Sequence, residues 1–219
     1  RSRMVIVTDD EDRENEGDLI CAAEKITPQM VTFMVREGGG MLCVPVSLPI
    51  AQSLGLESMV PENREAFRTD FTVTVDAAQG ISTGISAADR TRTIRLLADP
   101  KSQSKDLVQP GHINPLVAKP GGVLRRAGHT EAAIDLATLA GLPAAGVICE
   151  IMNDDGTMAR VGELGSYQEK HGLKACTIAQ LIEHRRRSEK LVRADEVVNM
   201  PTEYGDFRCH LYQIDTEGT

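Results

Sequence analysis

The segment from Met4 to Ala23, MVIVTDDEDRENEGDLICAA, places an acidic cluster between two apolar runs. Seven of the ten residues from Asp9 to Asp18 are acidic. Short apolar runs of this kind are typical of buried strands, so two strands should bring these carboxylates to one place. Close carboxylates repel one another, and each loses hydration energy on burial. A divalent cation relieves both costs, and Mg²⁺ is the natural candidate because it prefers oxygen ligands.

A solvated or disordered acidic surface is the usual explanation for such a run, and that alternative stays open at this point. Two details favour an ordered loop. Arg13 interrupts the acidic residues, and Gly17 leads into the second apolar run, Leu19–Ala23. The segment therefore has two competing interpretations, a metal site and an exposed loop tip.

The composition bounds the class of protein. With 219 residues, the chain can form one large domain or two small ones with a sizeable core. Its hydrophobic fraction of 41% and charged fraction of 26% are ordinary for a soluble globular protein. Aromatic residues make up only 3% of the chain, so the core must be aliphatic. Nucleic-acid bases would also find few aromatic side chains on which to stack. The net charge of −8 disfavours nucleic acid and anionic membranes, and we expect neither as a partner.

The five cysteines are widely spaced and form no C-x-x-C pair. Most of them lie in or beside apolar stretches, which predicts reduced, mostly buried thiols and a cytoplasmic location. No apolar run approaches the roughly 20 residues of a membrane span, and no signal peptide is visible.

Strand and helix patterns alternate along the chain. Short apolar or β-branched runs predict strands at Met4–Thr8, Asp18–Ala23, Met41–Val46, Phe71–Val75, Ala145–Met152 and Leu173–Thr177. Capping signals and apolar stripes predict helices at 27–36, 86–98, 130–140, 162–171 and 178–188, with a loop or short strand at 110–120. Several strands look hairpin-linked rather than joined by crossovers. We therefore predict an α+β fold, a layered α/β sandwich, in a single domain over residues 1–190 with a C-terminal extension over residues 191–219.

The second informative segment is Arg125–Thr130 (RRAGHT), at the start of the predicted helix 130–140. A helix N-terminus presents free backbone N–H groups and the positive end of the helix dipole, which suits a phosphate. Arg126 adds a bidentate donor and Thr130 a hydroxyl, although a plain helix cap with a solvated arginine is the alternative. The same dipole disfavours a charged imidazole at His129. We therefore expect a neutral ring there, and a neutral ring can bind a metal.

Two further residues are candidates for proton transfer. His112 lies in Pro110–Pro115 (PGHINP), where two prolines and a glycine restrict the backbone. A rigid turn with an incidental histidine is the alternative. Glu150 ends the apolar run Ala145–Cys149, where a carboxylate is costly unless it is paired or used. Simple exposure at the end of a strand is the alternative for Glu150.

Motifs in a fixed order resemble one family, 3,4-dihydroxy-2-butanone 4-phosphate synthase. They are DDEDRENEGDL (Asp9–Leu19), FTVTVDAAQGISTGISAADR (Phe71–Arg90), PGHINPL (Pro110–Leu116), GGVLRRAGHTEAAIDLATLAG (Gly121–Gly141) and GVICEIMNDDGTMAR (Gly146–Arg160). Together they extend the resemblance over nearly all of residues 3–188. Any one motif alone would be moderate support, whereas the whole set in order is highly specific.

The resemblance implies a lyase of riboflavin biosynthesis that converts D-ribulose 5-phosphate to 3,4-dihydroxy-2-butanone 4-phosphate and formate. It also implies a Mg²⁺ cofactor, for which Mn²⁺ can substitute, and a homodimer with active sites near the subunit interface. Carried over by position, Glu14 and His129 match metal ligands. His112 and Glu150 match residues essential for catalysis. The positions that match substrate contacts are Arg13, Glu14, Asp18, Arg126, Ala127, Gly128, His129, Thr130 and Glu150.

The sequence departs from the commonest family pattern at Asn114, where many members carry Phe. Its tail Met200–Arg208 (MPTEYGDFR) resembles the opening of GTP cyclohydrolase II. No metal-binding cysteine cluster follows, so we expect no cyclohydrolase activity. Two other functions stay open: a catalytically silent phosphosugar- or metal-binding module, and a Mg²⁺ phosphohydrolase. The products distinguish the three functions. The lyase releases formate, the phosphohydrolase releases free phosphate, and the silent module releases neither.

Overall fold

The computed structural model describes residues 4–214, and its main feature is a seven-stranded mixed sheet. The strands of this sheet are β1 (Val5–Thr8), β2 (Gly17–Ala22), β3 (Cys43–Val46), β4 (Val75–Ala77), β5 (Leu107–Val117), β6 (Gly146–Glu150) and β7 (Lys174–Thr177). The helices are α1 (Pro28–Phe33), α2 (Leu48–Leu54), α3 (Ala87–Ala98), α4 (His129–Leu139), α5 (Val161–His171) and α6 (Ile178–Ser188). Among these described helices, none is long and apolar enough to cross a membrane.

The order of strands across the sheet is β4-β5-β3-β6-β2-β1-β7. Antiparallel pairs join β1 to β2, β2 to β6, β3 to β6 and β4 to β5, while β1–β7 and β3–β5 are parallel. In the β2–β6 ladder, Asp18 at the start of one strand pairs with Glu150 at the end of the other. The acidic loop between β1 and β2 therefore opens at the same edge of the sheet as Glu150.

Helices cover both faces of the sheet. Ile6 and Leu19 pack into a cluster with residues of α1, α3 and α5, whereas Val7 and Ile20 pack into a second cluster with residues of α4 and α6. This alternation is the period of two expected for strands that are buried on both faces. The predicted α+β fold, with helices layered on a sheet, is confirmed.

The structure corrects some of the predicted elements. Phe71–Val75 is not a strand, because Phe71 and Thr72 form only isolated bridges and β4 begins at Val75. Residues 110–120 lie mostly within the 11-residue strand β5 rather than in a loop or short strand. Helix α2 was not predicted.

The residues after α6 form a separate two-stranded antiparallel sheet, β8 (Val192–Thr202) and β9 (Gly205–Ile214). Every residue of β8 is exposed, and the large apolar side chains of β9 include Phe207, which is 53% exposed. The sequence patterns predicted no strands here. This hairpin lies within the segment that we expect to be a C-terminal extension.

Candidate active site

The loop between β1 and β2 is built around the buried carboxylate of Asp9. Asp9 Oδ1 accepts the backbone N–H of Glu16 at 2.9 Å, and Asp9 Oδ2 accepts the backbone N–H of Glu14 at 3.1 Å. Arg13 Nη1 also donates to Asp9 Oδ2, at 2.8 Å. The acidic run is therefore an ordered loop whose first carboxylate holds the following residues in place.

Glu14, Asp18 and His129 meet at the end of this loop. His129 Nδ1 lies 3.6 Å from Glu14 Oε2 and 3.8 Å from Asp18 Oδ1. His129 is the first residue of α4, and Asp18 lies near the start of β2. Donor atoms of Asp9, Glu14 and His129 all lie within 4.8 Å of one another. The fold thus brings together the two predicted metal ligands, which are far apart in the sequence.

The charges in this cluster shift the pKa values of its members. The nearby imidazole of His129 lowers the pKa of Glu14 against the cost of burial, and Arg13 adds to the effect. Burial raises the pKa of Asp18 to about 7, and the nearby carboxylates of Glu150 and Glu14 reinforce the shift. Burial opposes protonation of His129, but the Asp18 and Glu14 carboxylates raise its pKa to about 9. In the metal-free chain these carboxylates therefore favour the protonated imidazole, whereas a cation bound to His129 would require the neutral ring that the sequence predicts.

The donor set fits a hard divalent cation. His129 Nε2 and Asp18 Oδ1 are buried and have no hydrogen-bond partner within the described part of the chain. A buried polar atom without a partner is costly, and a cation would satisfy such atoms while it reduces the repulsion among the carboxylates. Carboxylate oxygens with one imidazole nitrogen suit Mg²⁺ or Mn²⁺. Because Asp9 already accepts three hydrogen bonds, Glu14 and His129 are the residues best placed to bind the ion.

The N-terminus of α4 forms an anion cradle beside the carboxylate cluster. Gly128 is the N-cap residue, and Thr130 is buried in the first turn. Arg126 lies next to this helix start and donates from all three guanidinium nitrogens, to the Phe67 carbonyl at 3.1 Å, to Thr69 Oγ1 at 2.9 Å and to Glu131 Oε2 at 2.7 Å. An anion would therefore meet a guanidinium that is already fixed in direction.

A largely buried ion pair anchors the loop that leads into the cradle. Asp135 Oδ2 accepts the Val123 N–H at 2.9 Å and Arg185 Nη1 at 2.8 Å. Arg185 Nη1 also donates to the Gly121 carbonyl at 2.8 Å. Gly122 has a φ of +61°, and a methyl group at this position would overlap the Asp135 carboxylate. Residues of α4 and α6 thus fix the loop from two sides.

A cavity of about 230 Å³ joins the carboxylate cluster to the cradle. Among the predicted site residues, it is lined by Arg13, Glu14, Asp18, Arg126, His129, Thr130 and Glu150. Ala127 and Gly128 do not line it. The lining residues that were not predicted as site residues are Glu16, Cys43, Glu65, Thr69, Phe71, Leu116 and Ile148.

Cys43 is the lining residue that the sequence could have indicated, since it follows the glycine run 38–40. Burial raises the pKa of its thiol, so Cys43 is protonated and shapes the cavity rather than acting as a nucleophile. Glu65 and Thr69 come from the irregular segment before β4, where no periodic pattern gives a signal.

Glu150 is half-buried at the end of β6, and its position is fixed. Its Oε2 accepts the backbone N–H of Met41 at 2.7 Å. Gly40 passes so close that a methyl group there would overlap the Glu150 side chain. Glu150 is therefore not a freely exposed strand end, and its carboxylate is held at the cavity wall.

His112 does not line this cavity. It lies on β5 beside Asp76, with His112 Nδ1 2.6 Å from Asp76 Oδ2, and its side chain is 45% exposed. Asn114, two residues later, donates to the Leu42 carbonyl at 3.2 Å. A single copy of the chain therefore brings together the predicted metal, phosphate and Glu150 positions but leaves His112 outside the cavity.

A family model described as 3,4-dihydroxy-2-butanone 4-phosphate synthase matches residues 1–184. The chain belongs to this synthase family. The riboflavin biosynthesis protein RibBA of Mycobacterium tuberculosis H37Rv is 57% identical over 209 residues, which cover 94% of this chain and 49% of that protein. RibBA of Salinispora arenicola is 54% identical over 213 residues, which cover 97% of this chain and 51% of that protein. The chain spans about half the length of these curated relatives.

Solved structures of the synthase family share the fold. RibBX of A. baumannii, a two-domain 3,4-dihydroxy-2-butanone 4-phosphate synthase, matches with a TM-score of 0.91 and 47% identity, covering 97% of this chain and 63% of that one. A synthase in complex with two magnesium ions matches with a TM-score of 0.83 and 40% identity, covering 85% of this chain and 92% of that one. The family that the sequence motifs indicate is thus confirmed.

Proposed function

We propose that this synthase-family chain is a Mg²⁺-dependent lyase that converts D-ribulose 5-phosphate to 3,4-dihydroxy-2-butanone 4-phosphate and formate. The proposal depends above all on one observation, the convergence of Glu14 and His129 beside the anion cradle of α4. Family membership and the magnesium complex of a structural relative support it. Mn²⁺ can substitute, because it accepts the same oxygen and imidazole ligands.

Glu14 and His129 would hold the cation, while Asp9 keeps the loop in shape. When bound, the cation supplies Lewis-acid stabilisation of the negative charge that develops on neighbouring substrate oxygens. Arg13, which contacts both Asp9 and Glu14, maintains the direction of the Glu14 carboxylate. His129 first, and Arg13 in addition, lower the pKa of Glu14 and so favour its ionised form.

The substrate phosphate is proposed to bind at the start of α4. Arg126 and the backbone from Ala127 to Thr130 supply donors, and the Thr130 hydroxyl lies in the same turn. Anchoring the phosphate here uses binding energy from a remote group to orient the reacting carbons towards Glu14 and Glu150.

The chemistry requires several proton transfers. Loss of the C3 proton gives an enediol, and loss of the C1 hydroxyl as water with tautomerisation gives a methyl ketone. A shift then breaks the C4–C5 bond and forms the C3–C5 bond, which leaves C4 as an aldehyde on C3. Addition of water to this aldehyde and cleavage of the C3–C4 bond release C4 as formate, and C3 takes up a proton. One water leaves and one enters, so the atoms balance. We propose Asp18, Glu150 and His112 as the acid–base groups, the first two because they line the cavity.

A homodimer with shared active sites would give His112 access to the reaction. The part of β5 around His112 is largely exposed, whereas the cavity that holds the other site residues does not include His112. We therefore propose that His112 of one copy completes the site of the second copy. The active site would then be whole only in the dimer.

We further propose that residues 1–190 form the catalytic domain, that residues 191–219 are an extension of it, and that the chain works in the cytoplasm on a small phosphosugar. All five cysteines are unpaired thiols, three of them buried, which suits a reducing compartment. The negative net charge supports the expectation that neither nucleic acid nor membrane is a partner.

The experiment is to incubate the purified chain with Mg²⁺ and D-ribulose 5-phosphate and to follow carbon products by NMR and formate by an enzymatic assay. We expect stoichiometric formate and the four-carbon phosphate, and no formation after chelation of the metal. Substrate binding without any product would instead support the silent module. Free phosphate as the product would support a phosphohydrolase.

A further inference from the structure

The strand β5 carries an outward bulge where it pairs with β4. Val75 pairs with Ile113, but the next residue, Asp76, pairs with Val108, so residues 109–112 have no partner in the ladder. Gly111 N–H donates to Thr74 Oγ1 at 3.0 Å. A side chain at Gly111 would overlap the β4 backbone. The bulge therefore packs closely against β4 at Gly111. This contact fixes the position of the next residue, His112.

Asp76 holds His112 at two points. Its Oδ1 accepts the backbone N–H of His112 at 3.1 Å, and its Oδ2 lies 2.6 Å from Nδ1 of the same residue. The Asp76 side chain is only 7% exposed, whereas the imidazole is 45% exposed. Gly84 covers the contact, since a side chain there would overlap both the carboxylate and the ring. The two oxygens of one buried carboxylate thus set the backbone and the ring of His112 together.

We propose that Asp76 is the positioning residue of His112 and selects the imidazole tautomer that the reaction uses. A carboxylate only accepts hydrogen bonds, so neutral His112 must carry its proton on Nδ1. Nε2 is then the basic nitrogen and stays available at the exposed side of the ring. Nε2 takes a proton from the substrate, the resulting imidazolium is stabilised by Asp76 through Nδ1–H, and the same proton returns to a later intermediate.

This inference rests on the proposed function, in which His112 transfers protons, and it adds Asp76, which lies within the Phe71–Arg90 motif but is not among the predicted site residues. Asp76 makes no contact with the carboxylate cluster and does not line the cavity. Its effect on the reaction must therefore pass through His112. Substitution of a residue that acts in this way lowers kcat and leaves substrate binding largely unchanged.

The test is the substitution Asp76→Asn, which preserves shape but exchanges one oxygen for a donor. The remaining oxygen of the new amide would stay on the His112 N–H, so the amide NH₂ would face Nδ1 and force the proton to Nε2. We expect kcat for formate release to fall by about 10²–10⁴-fold, with KM for ribulose 5-phosphate changed by less than about threefold. Asp106→Asn is the matched control. Asp106 lies directly before β5, and its carboxylate also accepts a backbone N–H, that of Gln103. This substitution should leave kcat unchanged.

A second measurement does not require any activity. Imidazole ¹⁵N chemical shifts of the wild-type protein, at a pH where His112 is neutral, should show Nδ1 protonated and Nε2 unprotonated, and Asp76→Asn should reverse them. An Nε2-protonated ring in the wild type overturns the proposal, as does a kcat within twofold of wild type in a folded Asp76→Asn variant.

The two hypotheses can fail separately. If wild-type protein releases no formate, the proposed function fails, while the ¹⁵N shifts still report whether Asp76 sets the tautomer. If formate is released and His112→Gln keeps full kcat, His112 has no role in proton transfer and the role given to Asp76 is wrong.

Discussion

At the scale of single residues, the number of hydrogen bonds that each carboxylate already makes decides what it can do. Asp9 accepts three and is therefore structural, although it lies as close to His129 as a ligand would. Glu14 is paired with Arg13 and faces His129, so it can exchange these partners for a cation. Composition and spacing cannot separate two acids in one loop, because the difference depends on where the backbone N–H groups point.

The substitutions Glu14→Gln and His129→Ala test the metal site. Each removes one proposed ligand, so we expect formate release to fall by at least about 10²-fold and the stabilisation of the fold by Mg²⁺ to disappear. Activity assays and thermal melts with and without Mg²⁺ measure both effects. Glu11→Gln is the control, because Glu11 is an exposed acid of the same loop. An Mg²⁺-dependent rise in melting temperature that survives in both ligand variants would place the metal elsewhere.

The site residues could be predicted to different degrees. Glu14, His129, Arg126 and Glu150 stand beside strand or helix ends, and such ends are visible in the sequence. The raised pKa of His129 could not be predicted, because it depends on carboxylates that only the folded chain brings near the ring.

At the scale of elements, local signals locate helices better than strands. The predicted helix from Ser86 is α3, and the Ser86 hydroxyl caps it by accepting the Asp89 N–H at 3.1 Å. The β-branched run Phe71–Val75 fails as a strand because its neighbours are irregular: Thr72 N–H and Val73 N–H bond to the carbonyls of Pro115 and Glu57. Pairing partners decide where a strand lies, and a single sequence does not show them.

Gly122→Ala tests the anchoring of the loop that leads into the cradle. Its positive φ should cost about 1–2 kcal/mol for a residue with a Cβ, and overlap with Asp135 should add about 1–3 kcal/mol. Gly141→Ala is a matched control, because Gly141 has a φ of +71° but a methyl group there meets nothing within 4 Å. Urea unfolding measures both. An equal loss of unfolding free energy in the two variants would show that overlap of the new methyl group with Asp135 has no effect on stability.

At the scale of the whole molecule, the sheet order explains why distant motifs meet, and it could not be read from the sequence. The strands β2, β6 and β3 are neighbours in the centre of the sheet. Asp18, Glu150 and Cys43 therefore lie close together at the same end of these strands. The position of His112 outside the cavity was equally unpredictable, because it follows from an unpaired bulge in β5.

Mixing two inactive variants tests the shared site. His112→Gln and Glu14→Gln should each be inactive alone. After subunit exchange in equal amounts, half of the dimers are mixed and each holds one intact site, so activity should return to about a quarter of wild type. No recovery, despite subunit exchange demonstrated by a labelled subunit, would mean that His112 and Glu14 act within the same chain.

Removal of the hairpin tests the domain boundary. Because every residue of β8 is exposed, a chain that ends at Lys190 should keep its formate release and melt within about 2 °C of the full chain. Calorimetry and activity assays measure both properties. A broad, non-cooperative transition in the shortened protein would show that the fold needs the hairpin.

The position of β1 and β2 in the sheet has a consequence for the synthesis of the chain on the ribosome. β1 needs β7 as a neighbour and β2 needs β6, yet both partners leave the ribosome long after the first hairpin. At about 5–20 residues per second, the newly made acidic hairpin waits for roughly 6–30 seconds before its edges are covered. We expect its repelling carboxylates to keep copies of the nascent hairpin apart during that interval, so that charge that serves the finished site also limits aggregation during synthesis.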